Sequence, residues 1–201
     1  MLTIVWDVDD VLNDLMRSWF EQEWLPAHPD CKVDYAGITE NPPHHVLGIR
    51  KEEYLASLDS FRLSDKARLM QPNKGIIAWL QRGGDQFRHV ALTARPLPTV
   101  PPAAEWVFRH FGDYIRVFGV VPSRQEAHIP RYDQSKAEFL QWLSKADVLV
   151  DDSQENIEAA NSIGVKGILY PQPWNRSELT VPETLDLLSA TCELEGKRHP
   201  T

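Results

Sequence analysis

Short apolar runs alternate with stretches of helical spacing along most of this chain. The runs at 2–6, 88–93, 115–121, 147–150 and 166–170 are rich in Val, Ile and Leu. Continuous apolar runs of this length are the pattern of strands covered on both faces. Between them, 74–82 places Ile76, Ile77 and Leu80 on one helical face and is closed by Gly83-Gly84. The stretch 102–111 opens on Pro102, a residue suited to a first helical turn. Residues 134–145 put Phe139, Leu140 and Leu143 at helical spacing. Residues 154–163 follow Ser153, a natural N-cap, and stop before Gly164, a natural C-cap.

Strand and helix in alternation predict βαβ units, hence an α/β, doubly wound (Rossmann-like) parallel sheet. Residues 12–70 interrupt the alternation. A helix is expected from Leu12 to Trp24, ended by Pro26 and Pro29, and a second over 51–59, with an irregular Asn41-Pro42-Pro43-His44-His45 segment between them. This reads as a small helical cap, 12–70, inserted after the first strand of a core made of 1–11 and 71–201. Such a cap would overhang the carboxyl end of that strand, exclude water and select substrates. A final helix is expected over 183–194, with 195–201 fraying.

Composition narrows the partners. The net charge of −8 argues against nucleic-acid polymers and anionic membrane surfaces. No apolar stretch approaches the roughly 18–20 residues that span a bilayer. Cys31 and Cys192 form no framework, and the chain enters its first strand with no charged or apolar leader. A cytoplasmic protein is the expectation.

The chemistry concentrates at strand ends. Leu2-Thr3-Ile4-Val5-Trp6 runs into Asp7, Asp9 and Asp10, and Val148-Leu149-Val150 runs into Asp151-Asp152. Like charges a few ångströms apart need a shared proton, a basic partner or a cation. Adjacent parallel strands present their carboxyl ends at one sheet edge, so both acidic clusters point to one site. Carboxylate oxygens without Cys or His favour a hard cation, most simply Mg²⁺.

With these features in view, the chain resembles the haloacid-dehalogenase-like hydrolases over about 1–170. Four motifs carry the resemblance: Ile4-Val5-Trp6-Asp7-Val8-Asp9-Asp10-Val11-Leu12, Val90-Ala91-Leu92-Thr93, Lys136 at a helix start, and Val148-Leu149-Val150-Asp151-Asp152. Within the group the look is that of the 5'(3')-deoxyribonucleotidase-like branch, on the doubled acid of motif four and on Glu105-Trp106-Val107-Phe108-Arg109-His110-Phe111-Gly112. The resemblance implies a Mg²⁺-dependent phosphomonoester hydrolase acting on a small phosphorylated substrate, with a 5'-nucleotidase as the narrower reading. Asp7 would attack phosphorus and form an aspartyl-phosphate. Asp9 would protonate the leaving alkoxide and then activate water, with a pKa pushed up by Asp7 and Asp10. Thr93 and Lys136 would hold the phosphoryl group, with Arg131 and Lys145 as rivals for the lysine's role. Asp7, Asp152 and the backbone of Asp9 would bind the metal, with Asp151 beside them. A phosphotransferase or mutase on the same scaffold and a non-catalytic phospholigand-binding module are the alternatives.

Other residues extend this picture. Arg95 is a candidate for substrate contact. Trp24 and Phe20, with Trp19, offer rings for a nucleobase, although packing inside the cap is expected for at least two of the three. His44-His45 reads as a surface loop without ligand geometry. The segment 170–176 lies at the same sheet edge as the acids. Two departures from the family pattern stand out. Asp10 occupies a position where glycine is common, and Leu15 stands where the deoxyribonucleotidases carry an aromatic, which weakens the nucleotide reading.

Overall fold

A computed structural model describes residues 1–123, 129–130 and 132–198. Five parallel strands form one sheet in the order β3-β2-β1-β4-β5. They are β1 (Thr3–Asp7), β2 (Arg88–Arg95), β3 (Ile115–Pro122), β4 (Val148–Asp151) and β5 (Lys166–Leu169). The α/β, doubly wound expectation holds, and the strands lie within one residue of the apolar runs except that β2 reaches Arg95, two residues further.

Successive strand residues point to opposite faces, and the two faces carry separate apolar cores. Ile4, Trp6, Val148 and Val150 pack with α5 (Lys74–Gly83), α6 (Val100–Phe111) and α9 (Val181–Arg198). Val5, Val90 and Leu149 pack with α7 (Lys136–Leu143) and α8 (Gln154–Ser162). Strand order reverses between β1 and β4, whose register pairs Trp6 with Val150. The carboxyl ends of these two strands therefore open a crevice where Asp7 and Asp151 meet.

Between β1 and β2 the chain forms α1 (Leu15–Trp19), α2 (Leu25–Ala27), α3 (Lys51–Leu63) and α4 (Asp65–Arg68). A wider helical turn, Phe20–Trp24, joins α1 to α2. The predicted first helix starts later than Leu12, because Asp10 takes a left-handed backbone at φ 62° and Asn13 is extended. It also runs past its expected stop. Helical backbone continues through Trp24 and Leu25 into α2, which contains Pro26, and stops at His28. The second helix is longer than 51–59, since Phe61 is also buried on its inner face. This insertion has its own apolar cluster, including Trp19, Phe20, Trp24, Tyr54 and Phe61. The final helix, α9, extends beyond the expected 183–194, and residues 199–201 of the fraying tail lie outside those described. No helix among the described residues is long and apolar enough to cross a membrane.

Candidate active site at the carboxyl edge

Asp7 ends β1, and its carboxylate is buried. Oδ1 accepts the N–H of Val8 at 2.7 Å, and Oδ2 lies 2.8 Å from Nζ of Lys136. Lys136 is the first residue of α7, whose start is fixed by the Ser135 hydroxyl accepting the N–H of Glu138. The same ammonium lies 2.6 Å from Oδ2 of Asp151. Of the two rivals for this position, Lys145 is exposed and Arg131 lies outside the described residues.

Asp151 is fully engaged. Its oxygens accept from the backbone of Ser153 at 2.9 Å and from Nδ2 of Asn156 at 3.1 and 3.2 Å, besides Lys136. Ser153 caps α8 as its sequence position predicts. Asp152, one residue past the strand, accepts the indole N–H of Trp174 at 2.8 Å through Oδ2.

The acids outnumber the base. Burial pushes the Asp7 carboxyl well above its ordinary range, and Asp151 and Asp152 add to the rise against the opposing effect of Lys136. Burial and the charge of Asp151 push Asp152 up to about 7. Burial works against the Lys136 ammonium, yet Asp151 and Asp7 outweigh it and hold its pKa above the ordinary lysine value. One carboxylate oxygen each from Asp7, Asp151 and Asp152 lies within 4.8 Å of the other two. Hard oxygen donors with surplus negative charge suit a divalent cation such as Mg²⁺. Asp151 is the most heavily engaged of the three, accepting from Ser153, Asn156 and Lys136. Among the described residues Asp7 meets the Val8 N–H and Lys136, and Asp152 the Trp174 indole, so Asp7 and Asp152 are the donors best placed for one.

Asp7, Asp152 and Lys136 line a cleft of about 330 Å³ together with Thr93, which follows the paired portion of β2 with β1. The Thr93 hydroxyl is buried and finds no hydrogen-bond partner. A buried hydroxyl left unpaired is costly, which supports a ligand oxygen as its partner. From the insertion, α3 turns Lys51, Tyr54, Leu55, Leu58 and Arg62 toward the same cleft, a stripe at helical spacing.

Asp9 departs from expectation. Oδ2 lies 3.2 Å from Arg62, and Oδ1 pairs with Arg95. Burial alone would raise its pKa, but the two guanidinium groups outweigh burial and hold the carboxyl below its ordinary value. The predicted rise from Asp7 and Asp10 is therefore corrected: arginines brought by β2 and α3 dominate its surroundings. Arg95 is buried and contacts Asp9, so the substrate contact expected of it is replaced here by an internal ion pair. Its Nε and that of Arg62 are both unpaired beside a cavity of about 20 Å³, room for one water.

The aromatic candidates are also corrected. Phe20 and Trp24 are 1% and 4% exposed, lie in the insertion's core and do not line the cleft. Their amphipathic spacing serves packing, as expected for at least two of the three rings. His44 and His45 do acquire a third potential ligand, Glu40, with the three ligand atoms within 4.8 Å. The Glu40 carboxylate is nonetheless occupied by the backbone N–H groups of His45 and Val46 and by the His45 ring. Asp10 is buried, its carboxylate accepting the N–H of Met16 at 2.7 Å, and burial and Asp152 push its pKa well up.

Arg62, Gln172, Trp174 and Asn156 belong to the site's surroundings and were not singled out individually by the sequence. Asn156 stood in the first turn after motif four, and Gln172 and Trp174 lay in the flagged 170–176 segment. Arg62 carried no signal, because only the packing of α3 brings it to Asp9.

No family model and no curated protein sequence matches this chain. Solved structures do match its fold. A haloacid dehalogenase-like hydrolase from Streptococcus pneumoniae superposes with a TM-score of 0.61 at 15% identity, covering 94% of this chain and 98% of the other. A HAD-superfamily hydrolase of subfamily IA from Geobacter sulfurreducens gives 0.52 at 17% identity, over 94% and 96%. A candidate beta-phosphoglucomutase from Thermotoga maritima gives 0.53 at 18% identity, over 94% and 99%. The chain thus has the fold of the haloacid dehalogenase-like hydrolases, with its acidic clusters at the strand ends where open α/β sheets bind ligands.

Proposed function

We propose that this chain is a phosphomonoester hydrolase acting through an aspartyl-phosphate on Asp7, with residues 12–70 as its cap and 1–11 and 71–201 as its core. The carrying observation is Asp7, paired with Lys136, lining the same cleft as Thr93, whose hydroxyl is buried and unpartnered. An oxygen of Asp7 attacks phosphorus, the bond to the leaving oxygen breaks, and water later cleaves the acyl phosphate to return the carboxylate. Lys136 and Thr93 hold phosphoryl oxygens as charge shifts onto them. Asp9, once it turns away from Arg62 and Arg95 as substrate fills the cleft, loses the charges that keep it ionised and takes up a proton from solvent. It hands that proton to the leaving oxygen and then takes one from the attacking water. Asp7, Asp152 and the backbone carbonyl of Asp9 would hold Mg²⁺, which supplies charge neutralisation at the phosphoryl group.

The nucleotidase reading loses its aromatic support, since Phe20 and Trp24 are cap core. Small phosphorylated metabolites fit the cleft's volume and its mixed lining. A mutase shares every step up to the aspartyl-phosphate, and likeness to a candidate beta-phosphoglucomutase keeps it as the second reading. A screen over sugar phosphates, mononucleotides and p-nitrophenyl phosphate, with Mg²⁺ or EDTA, tests both. Released inorganic phosphate supports the hydrolase, and an isomeric phosphate ester supports the mutase. No turnover of any ester with Mg²⁺ would count against both.

A further inference from the structure

We infer that Trp174 is a positioning residue for the candidate cation site, and that the loop after β5 ties that site to the insertion. The inference rests on the proposed cation at Asp7 and Asp152. The indole N–H of Trp174 is a donor only, and it lies 2.8 Å from Oδ2 of Asp152. It therefore fixes the rotation of this carboxylate and leaves Oδ1 as the oxygen free of that bond. Groups that orient a metal-binding side chain from outside govern affinity almost as strongly as the ligands themselves.

The loop is itself held at both ends of the site. Nδ2 of Asn175 donates to the backbone carbonyls of Asp152 and Tyr170 at 2.8 and 2.7 Å. Nε2 of Gln172 donates to the backbone carbonyl of Asp10 at 2.6 Å. Three residues of one loop, Gln172, Trp174 and Asn175, thus reach both acidic segments, the one after β1 and the one after β4.

The insertion meets the same loop through Tyr35. Its hydroxyl donates to Oε1 of Gln172 at 3.1 Å, and its ring stands edge-on to Trp174 with centroids 6.3 Å apart at 85°. Trp174 also packs against the insertion's apolar cluster. A shift of the insertion moves Tyr35, and Tyr35 moves the residue that orients Asp152. Cation affinity in this protein consequently depends on where the insertion sits.

The test needs no substrate. Protein stripped with EDTA is titrated with Mn²⁺, and free Mn²⁺ is read by electron paramagnetic resonance. Trp174→Phe keeps a ring against Tyr35 and deletes the N–H, so its Kd for Mn²⁺ should rise about 10–100-fold. Tyr35→Phe removes a hydroxyl that bonds Gln172 and none of the acids, and should raise Kd by about threefold or more. Thermal melting of the metal-free variants checks that each is folded, and Tyr35→Phe carries the test if Trp174→Phe is not. Wild-type binding with Kd values within twofold in both variants overturns this inference and leaves the cation reading intact. A wild-type protein that holds no Mn²⁺ at millimolar concentration overturns the cation reading and this inference with it.

Discussion

Arg62 and Asp9 stand 53 positions apart in the chain and 3.2 Å apart in the fold. One belongs to the insertion and the other to the segment that follows β1. Arg62 also pairs with Asp59 at 3.0 Å, and Asp9 also pairs with Arg95. Two arginines and two aspartates, all largely buried, thus join the insertion to the acidic edge of the sheet.

Such a network predicts non-additive stability. Arg62→Met leaves buried carboxylates short of a partner and should destabilise by roughly 3 kcal/mol. Asp9→Asn removes one of those charges. In denaturant melts the double variant should therefore lose less than the sum of the single variants, with a coupling of about 1 kcal/mol or more. Additivity within about 0.5 kcal/mol would show that the two side chains are neighbours without being energetically linked.

Thr93 should separate folding from chemistry. Its hydroxyl is buried without a partner in the protein, so Thr93→Val removes an unpaired polar group rather than a bond. The melting temperature should hold or rise. Phosphatase turnover should fall by about 10²-fold, the usual consequence of losing one donor to developing charge. A variant that melts early with normal turnover would place the hydroxyl in the packing and not at the phosphoryl group.

Acid and metal should trade places in their effect on stability. Asp152 has a folded pKa near 7 against an ordinary 3.8, and Asp7 and Asp10 shift the same way. A carboxyl whose pKa rises on folding stabilises below its unfolded value, and that contribution is lost as pH climbs through the folded one. In EDTA, the melting temperature should therefore drop between pH 5 and pH 8. Asp152→Asn should flatten the slope, and millimolar Mg²⁺ should restore the wild-type protein at pH 8. A wild-type slope equal to that of Asp152→Asn would refute this electrostatic account.

Much of this arrangement is legible in the sequence because burial on both faces writes a strong local pattern. Val148-Leu149-Val150 has no exposed face, so its run is unbroken and its end is marked by the first acid. Lys136 could be placed because Ser135 caps its helix and the lysine follows at once. What escaped depends on contacts between distant segments. Asp9 looks like one of three crowded acids, yet its field is set by Arg95 from β2 and Arg62 from α3. Trp24 and Phe20 have the spacing of a cap helix, and spacing alone does not say whether a ring meets a ligand or another ring. Trp174 follows the last strand by five residues, and only the path of that loop brings its N–H to Asp152.

The central claim is covalent chemistry at Asp7. Wild-type protein turning over p-nitrophenyl phosphate with Mg²⁺ would be quenched in acid, reduced with borohydride and mapped by peptide mass spectrometry. Reduction of an aspartyl-phosphate converts the residue to homoserine. The account predicts homoserine at position 7 and at no other aspartate, and none in Asp7→Asn. Steady turnover in the wild type with position 7 unmodified, or unchanged turnover in Asp7→Asn, would contradict it.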